Sequence, residues 1–141
     1  MKIDWVILAT AAEIRDDLVH VLGGGWNYAS YPAFPAQFHG AVASLLVIEP
    51  AELATAHEMR IEIRDSAEQS LADVRFPVPM PRPAPPGLVI PQDWAIHVPI
   101  AVNLSGVVIP GPGQYRVVVA VDGLYLHDPL PMLCVLQEPG A

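Results

Sequence analysis

At 141 residues the chain has the length of one domain, and an apolar fraction of 52% argues against disorder despite sixteen prolines. Seven basic against fifteen acidic side chains give a net charge of −8, which speaks against a nucleic-acid backbone or an anionic membrane surface as partner. The single cysteine, Cys134, permits no intrachain disulfide and no thiolate metal cluster, and its strand-like surroundings read as a buried, inert thiol.

In chain order, Ile3 to Ala12 is a nearly continuous apolar run, expected of a buried strand, with a helix through Ala11 and Arg15 as the competing reading. Its apolar core is too short, and Asp4 too acidic a flank, for a secretory signal. Asp16-Asp17 reads as a turn and Leu18–Leu22 as a second strand in hairpin with the first. Gly23-Gly24-Gly25 ends that strand with a bulge or sharp change of direction, and Trp26 folds back as an anchor. Tyr28 to Pro35 is a loop by its Ser-Tyr-Pro and Phe-Pro steps.

Gln37 to Ile48 is the next long strand, and Ala51–Ala56 forms one helical turn at most. His57 to Arg64 has the cleanest alternation: Met59, Ile61 and Ile63 face the core, while Glu58, Arg60, Glu62 and Arg64 face water. Asp65–Glu68 turns, and Ser70–Val78 returns. The segment 77–91 is proline-rich, extended and irregular, a stiff connection between sheets. Gln92 to Leu104 is again a strand, with Pro99 marking an edge position or a bulge. Gln114–Val121, the Asp122-Gly123 reversal and a returning strand through Leu126 form a closing hairpin, with Tyr115, Val117, Val119 and Val121 on its core face. Leu130–Leu136 closes the chain. The pattern predicts an all-β fold: a single domain over 1–141, a two-sheet antiparallel β-sandwich of about eight strands, immunoglobulin-like.

Chemistry is sparse. The five histidines, His20, His39, His57, His97 and His127, share no metal-ligand spacing, and a site of His127 with Asp122 and Asp128 is the one grouping their positions suggest. The three glycines lack the Lys-Ser/Thr successor of a phosphate loop, and no G-x-S-x-G elbow occurs. Glu58 and Glu62 lie roughly 13 Å apart at ~3.3 Å per strand residue, which suits a solvated charge stripe with Arg60 and Arg64 better than a glycosidase pair. The expectation is therefore no catalytic residue, no metal and no cofactor.

Two features point to contacts. Of the 22 charged side chains, 16 lie before Phe76, so the second half is covered by prolines and small residues or forms an interface. Trp26, Tyr28, Tyr31 and Phe34 gather aromatic surface in one loop, suited to a partner or a pocket. A non-enzymatic protein-interaction or assembly module follows, with a protein partner or self-association into a homo-oligomer. The alternative is a small-molecule binding domain using those four aromatics. A cytoplasmic setting is expected.

Three stretches, Ile3-Asp-Trp-Val-Ile-Leu-Ala9, Leu22-Gly-Gly-Gly-Trp26, and Pro112-Gly-Gln-Tyr115 with Val121-Asp-Gly123, together resemble a family of short, uncharacterised bacterial proteins of unknown function. That resemblance implies a β-sandwich and brings no catalytic residues with it.

Overall fold

The computed structural model describes residues 1–140. Among these residues nine strands follow in order: β1 (Lys2–Arg15), β2 (Leu18–Gly24), β3 (Tyr28–Tyr31), β4 (Ala36–Ile48), β5 (Glu58–Arg64), β6 (Ser70–Pro77), β7 (Ile96–Ile109), β8 (Gly113–Val121) and β9 (Leu130–Leu136). A short 3-10 turn, Pro50–Ala54, joins β4 to β5. The strands form a four-stranded sheet, order β2-β1-β4-β7, and a five-stranded sheet, order β3-β9-β8-β5-β6.

One apolar core lies between the sheets. Leu8, Phe38, Val42, Leu46, Ile100 and Ile109 from the first sheet meet Met59, Ile61, Ile63, Val117 and Met132 from the second, all of them fully buried or nearly so. The period-2 alternation of β5 and β8 delivers these side chains to one face, which is why the strands pack as layers.

The first strand runs three residues past its apolar run to Arg15, and the helix alternative is excluded. Its first part pairs with β4 and its second part with β2, so one long strand serves two neighbours in succession. Asp16 and Asp17 both take positive φ, 53° and 60°, the two-residue turn whose twist matches a hairpin. The β1–β2 hairpin is tied to β7 by Asn103 Nδ2 donating to the Ala12 carbonyl at 3.1 Å.

Four expectations are corrected. Tyr28–Tyr31, expected as loop, forms β3, which pairs parallel with β9, so the five-stranded sheet is not wholly antiparallel. That segment lacks strand-like alternation; the free edge of β9 supplies its partners, with Leu133 N–H donating to the Asn27 carbonyl and Gln137 N–H to that of Tyr31. Gln92–Ala95, expected as the start of the strand to Leu104, is not strand, and Trp94 there is 62% exposed. Instead β7 extends onward to Ile109 through Gly106, whose φ of 81° accommodates a register shift against β4. Finally, Asp122-Gly123 does reverse the chain, but the returning segment makes one bridge, Val121 to Leu124, before leaving. The pairing strand is β9, beginning at Leu130. Pro99 does sit on an edge strand, β7, where its missing N–H costs no ladder bond.

Candidate functional site

The four aromatics expected to form one contact surface are divided by the fold. Trp26 packs against the core with its ring 6.0 Å from that of Phe38, and Tyr31 and Phe34 meet edge-on at 5.6 Å, also against the core. These three are anchors. Burial raises the Tyr31 hydroxyl above its ordinary pKa. Tyr28 alone of the four projects outward, 55% exposed, because alternate residues of β3 point to opposite faces.

Tyr28 lines a cleft of about 540 Å³ on the five-stranded sheet, with Asn27, Ser66, Gln114, Arg116, Pro131 and Leu133 around it. The register accounts for this set, since Leu133 is opposite both Tyr28 and Gln114, and Arg116 is opposite Pro131. Arg116 forms an ion pair with Glu68, whose turn brings Ser66 to the rim.

Beside the cleft, the outer face of β5 holds an ionic cluster that alternation did not reveal. Glu62 was expected in water, yet its side chain is only 3% exposed. Arg64 donates from Nη2 at 2.8 Å and Nε at 3.3 Å to its two carboxylate oxygens, and Arg60 Nε lies 3.1 Å away. Arg64 also donates to the Tyr125 hydroxyl at 3.1 Å and lies over that ring. The segment after the Asp122-Gly123 turn therefore covers the sheet face. The Arg64 hydrogen bonds hold the Glu62 carboxyl below its ordinary range, against the opposing effect of burial. On the exposed side Arg60 grips Asp73 through two bonds, 2.9 and 2.8 Å, and holds it down at about 2.

At the other end of β5, His57 Nδ1 lies 2.5 Å from Asp122 Oδ2, while Asp122 Oδ1 accepts from the Glu58 N–H at 2.9 Å. Asp122 thus serves His57 rather than the expected grouping with His127, whose Nδ1 faces the Asp128 carbonyl. Thr55 Oγ1 lies 3.4 Å from His57 Nε2, which suggests a carboxylate–imidazole–hydroxyl relay. The chemistry forbids it here. Nε2 is 2.6 Å from the Glu52 carbonyl, an acceptor only, so that nitrogen must carry a proton and cannot take one from Thr55. The Asp122 hydrogen bond raises the His57 pKa and in turn lowers that of Asp122. The group is a latch between the start of β5 and the turn after β8.

A second surface is largely apolar, with few charges. The edge strand β2 exposes Leu18 at 62% and Leu22 at 69%. Near its turn, Ile14 and Asp17 line a second cleft with Met80, Leu88, Ile90 and Pro99, and Arg82 bonds Asp17 at 3.1 Å. Val89 and Trp94 are exposed nearby in the sequence. The charge-poor second half thus does present apolar side chains and prolines to solvent.

No group of three or more histidine, cysteine, aspartate or glutamate side chains suited to a metal ion occurs among the described residues. Among them also no helix is long and apolar enough to cross a membrane. Fold and surfaces define an all-β domain of two packed sheets with an uncharged edge and a polar cleft. The chain belongs to a family of unknown function, DUF6941, which it matches over residues 4–129. No curated protein matches it.

Proposed function

We propose that this domain is a non-enzymatic protein-interaction and assembly module whose contact surface is the β2 edge and the apolar side chains beside it. The observation that carries the reading is the composition of that edge. Leu18–Gly24 is a seven-residue strand with hydrogen-bonding groups free on one side and neither charge nor proline to discourage pairing. The test is a Leu22→Lys variant compared with the wild type by crosslinking in a lysate and mass analysis of the products. Adducts formed by the wild type and lost in the variant support the surface, and identical patterns would reject it. The same reading places the protein in a bacterial cytoplasm, in keeping with a sequence that holds one, buried, cysteine.

The immunoglobulin-like relationship is part of this proposal. The order β9-β8-β5-β6 corresponds to the G, F, C and C′ strands of such a sandwich, and the β4–β7 pair to B and E. Tyr115, at the start of β8, donates its hydroxyl to the Gly111 carbonyl at 2.6 Å, as a tyrosine corner does.

A second reading, a small-molecule binding domain, is favoured by the Tyr28 cleft. Its volume lies within the roughly 300–1,000 Å³ of ligand pockets, and Arg116, Gln114, Asn27 and Ser66 supply polar groups. It predicts that a small carboxylate or phosphate ligand raises the melting temperature and that Tyr28→Ala abolishes the shift.

A further inference from the structure

Each sheet ends in two edge strands, and these are not equivalent. β6 displays Asp73 and Arg75 and ends at Pro77, and β3 is four residues long. β7 carries Pro99 and the Gly106 irregularity. All three carry a recognised protection against pairing with another chain: charge, shortness, proline or a bulge. β2 carries none. If two copies join edge to edge, the unprotected edge of one must therefore meet the same edge of the other, which gives a closed two-fold pair rather than a growing fibre.

The local geometry fixes the register. Arg15 and Leu18 flank the two-residue turn and form the hydrogen-bonded pair that closes such a hairpin. Alternation then directs the N–H and C=O of Leu18, His20 and Leu22 toward β1. Those of Val19 and Val21 point outward. Gly23, at φ 59°, departs from regular strand geometry and ends the usable edge. We infer that β2 pairs antiparallel with β2 of a second copy about a two-fold axis at His20, so that Val19 and Val21 of each chain exchange backbone hydrogen bonds with Val21 and Val19 of the other. This inference rests on the interaction-module reading and names its partner.

Side chains and charge agree with that register. Leu18 of each copy comes to lie opposite Leu22 of the other, so the two most exposed apolar residues of the strand cover each other. Each chain carries net charge −8, so two copies repel in general. At this edge Glu13 is matched by Arg15 at 3.3 Å and Asp17 by Arg82 at 3.1 Å, which leaves Asp16 at the turn without an ion-pair partner among the described residues. Met80, Leu88 and Ile90 beside the hairpin turn extend the apolar contact beyond the strand itself. The product is a continuous sheet in which the two four-stranded sheets join through β2.

The test is light scattering on a size-exclusion column over a wide range of concentrations. The wild type should reach twice its 15.2 kDa mass. Val21→Pro removes an outward N–H and leaves the β1 ladder whole, and Leu22→Lys places like charges near the axis. Each should raise the dimer midpoint by at least about tenfold. A wild type that stays monomeric throughout, or a dimer that survives both substitutions, would overturn the inference. Should either variant lose its fold, amide exchange on the wild type decides instead. Val19 and Val21 should gain protection with concentration while His20, bonded to β1, stays constant, and unchanged exchange at all three would overturn the pairing. A monomer that still crosslinks to another protein through Leu22 leaves the interaction reading standing and removes only self-pairing. Loss of both removes both.

Discussion

Glu58 and Glu62 share one strand and one face, yet they should respond very differently to the loss of a charge. Glu58 is exposed, whereas Glu62 is 3% exposed and receives three contacts from Arg60 and Arg64 at 2.8–3.3 Å. Hydrogen bonds to charged groups contribute about 1.5–3 kcal/mol net, and glutamine at position 62 retains one accepting oxygen. Arg60 keeps Asp73, and Arg64 keeps Tyr125 and Glu68, so neither guanidinium is orphaned. Glu62→Gln should therefore cost about 2–3 kcal/mol, short of the 3–5 typical of breaking a fully buried pair. At about 4 °C per kcal/mol for a chain of this length, the melting temperature should fall by about 8–12 °C. Glu58→Gln should stay within about 0.5 kcal/mol of wild type. Urea unfolding of both variants measures the difference directly. Equal midpoints for the two would refute the claim that Glu62 is held in a buried ionic cluster.

Three other outcomes can be checked with the same assay. The pH dependence of stability should have two opposed limbs. Asp73, lowered from 3.8 to about 2, contributes stability that is present above 3.8 and lost as pH falls toward 2, and the lowered Asp122 and Glu62 act in the same sense. His57, raised from 6.5, contributes stability that is full below 6.5 and lost as pH rises through its folded value, so His57→Ala should flatten that alkaline limb. Gly40→Ala would place a Cβ 2.7 Å from the Phe38 ring and 3.3 Å from the Ala9 carbonyl, and should cost about 1–3 kcal/mol by overpacking. Tyr115→Phe deletes the bond to Gly111 and should cost about 1 kcal/mol, and an unchanged midpoint would mean that this corner does not hold the start of β8.

Much of the fold was legible because strands announce themselves locally. The alternation of Met59, Ile61 and Ile63 gave β5 its core face, and Asp16-Asp17 and Asp122-Gly123 marked reversals through residues that tolerate positive φ. The proline density of 77–91 marked an irregular connection, and Pro99 marked an edge or a bulge, of which the edge is found. The contact surface was less legible. Trp26, Tyr28, Tyr31 and Phe34 are near neighbours in the chain, and nothing local distinguishes the three that turn inward from the one that does not. The signal for the β2 edge was in the sequence, an uncharged Leu18–Gly24, but its weight depends on knowing that β2 is an edge.

What the sequence determined by itself was therefore what depends on one or two neighbours along the chain: strand periodicity, turn positions and the absence of ladder donors at proline. Tertiary structure decided what depends on partners far away in sequence. β3 is a strand because β9 leaves an edge open beside it, and Glu62 is buried because Tyr125, sixty-odd residues on, holds Arg64 across it. Asp122 is a latch as well as a turn residue because His57 arrives from the segment just before β5. A backbone hydrogen bond or an ion pair acts only at contact distance, and that distance is set by strand order, which no local pattern encodes.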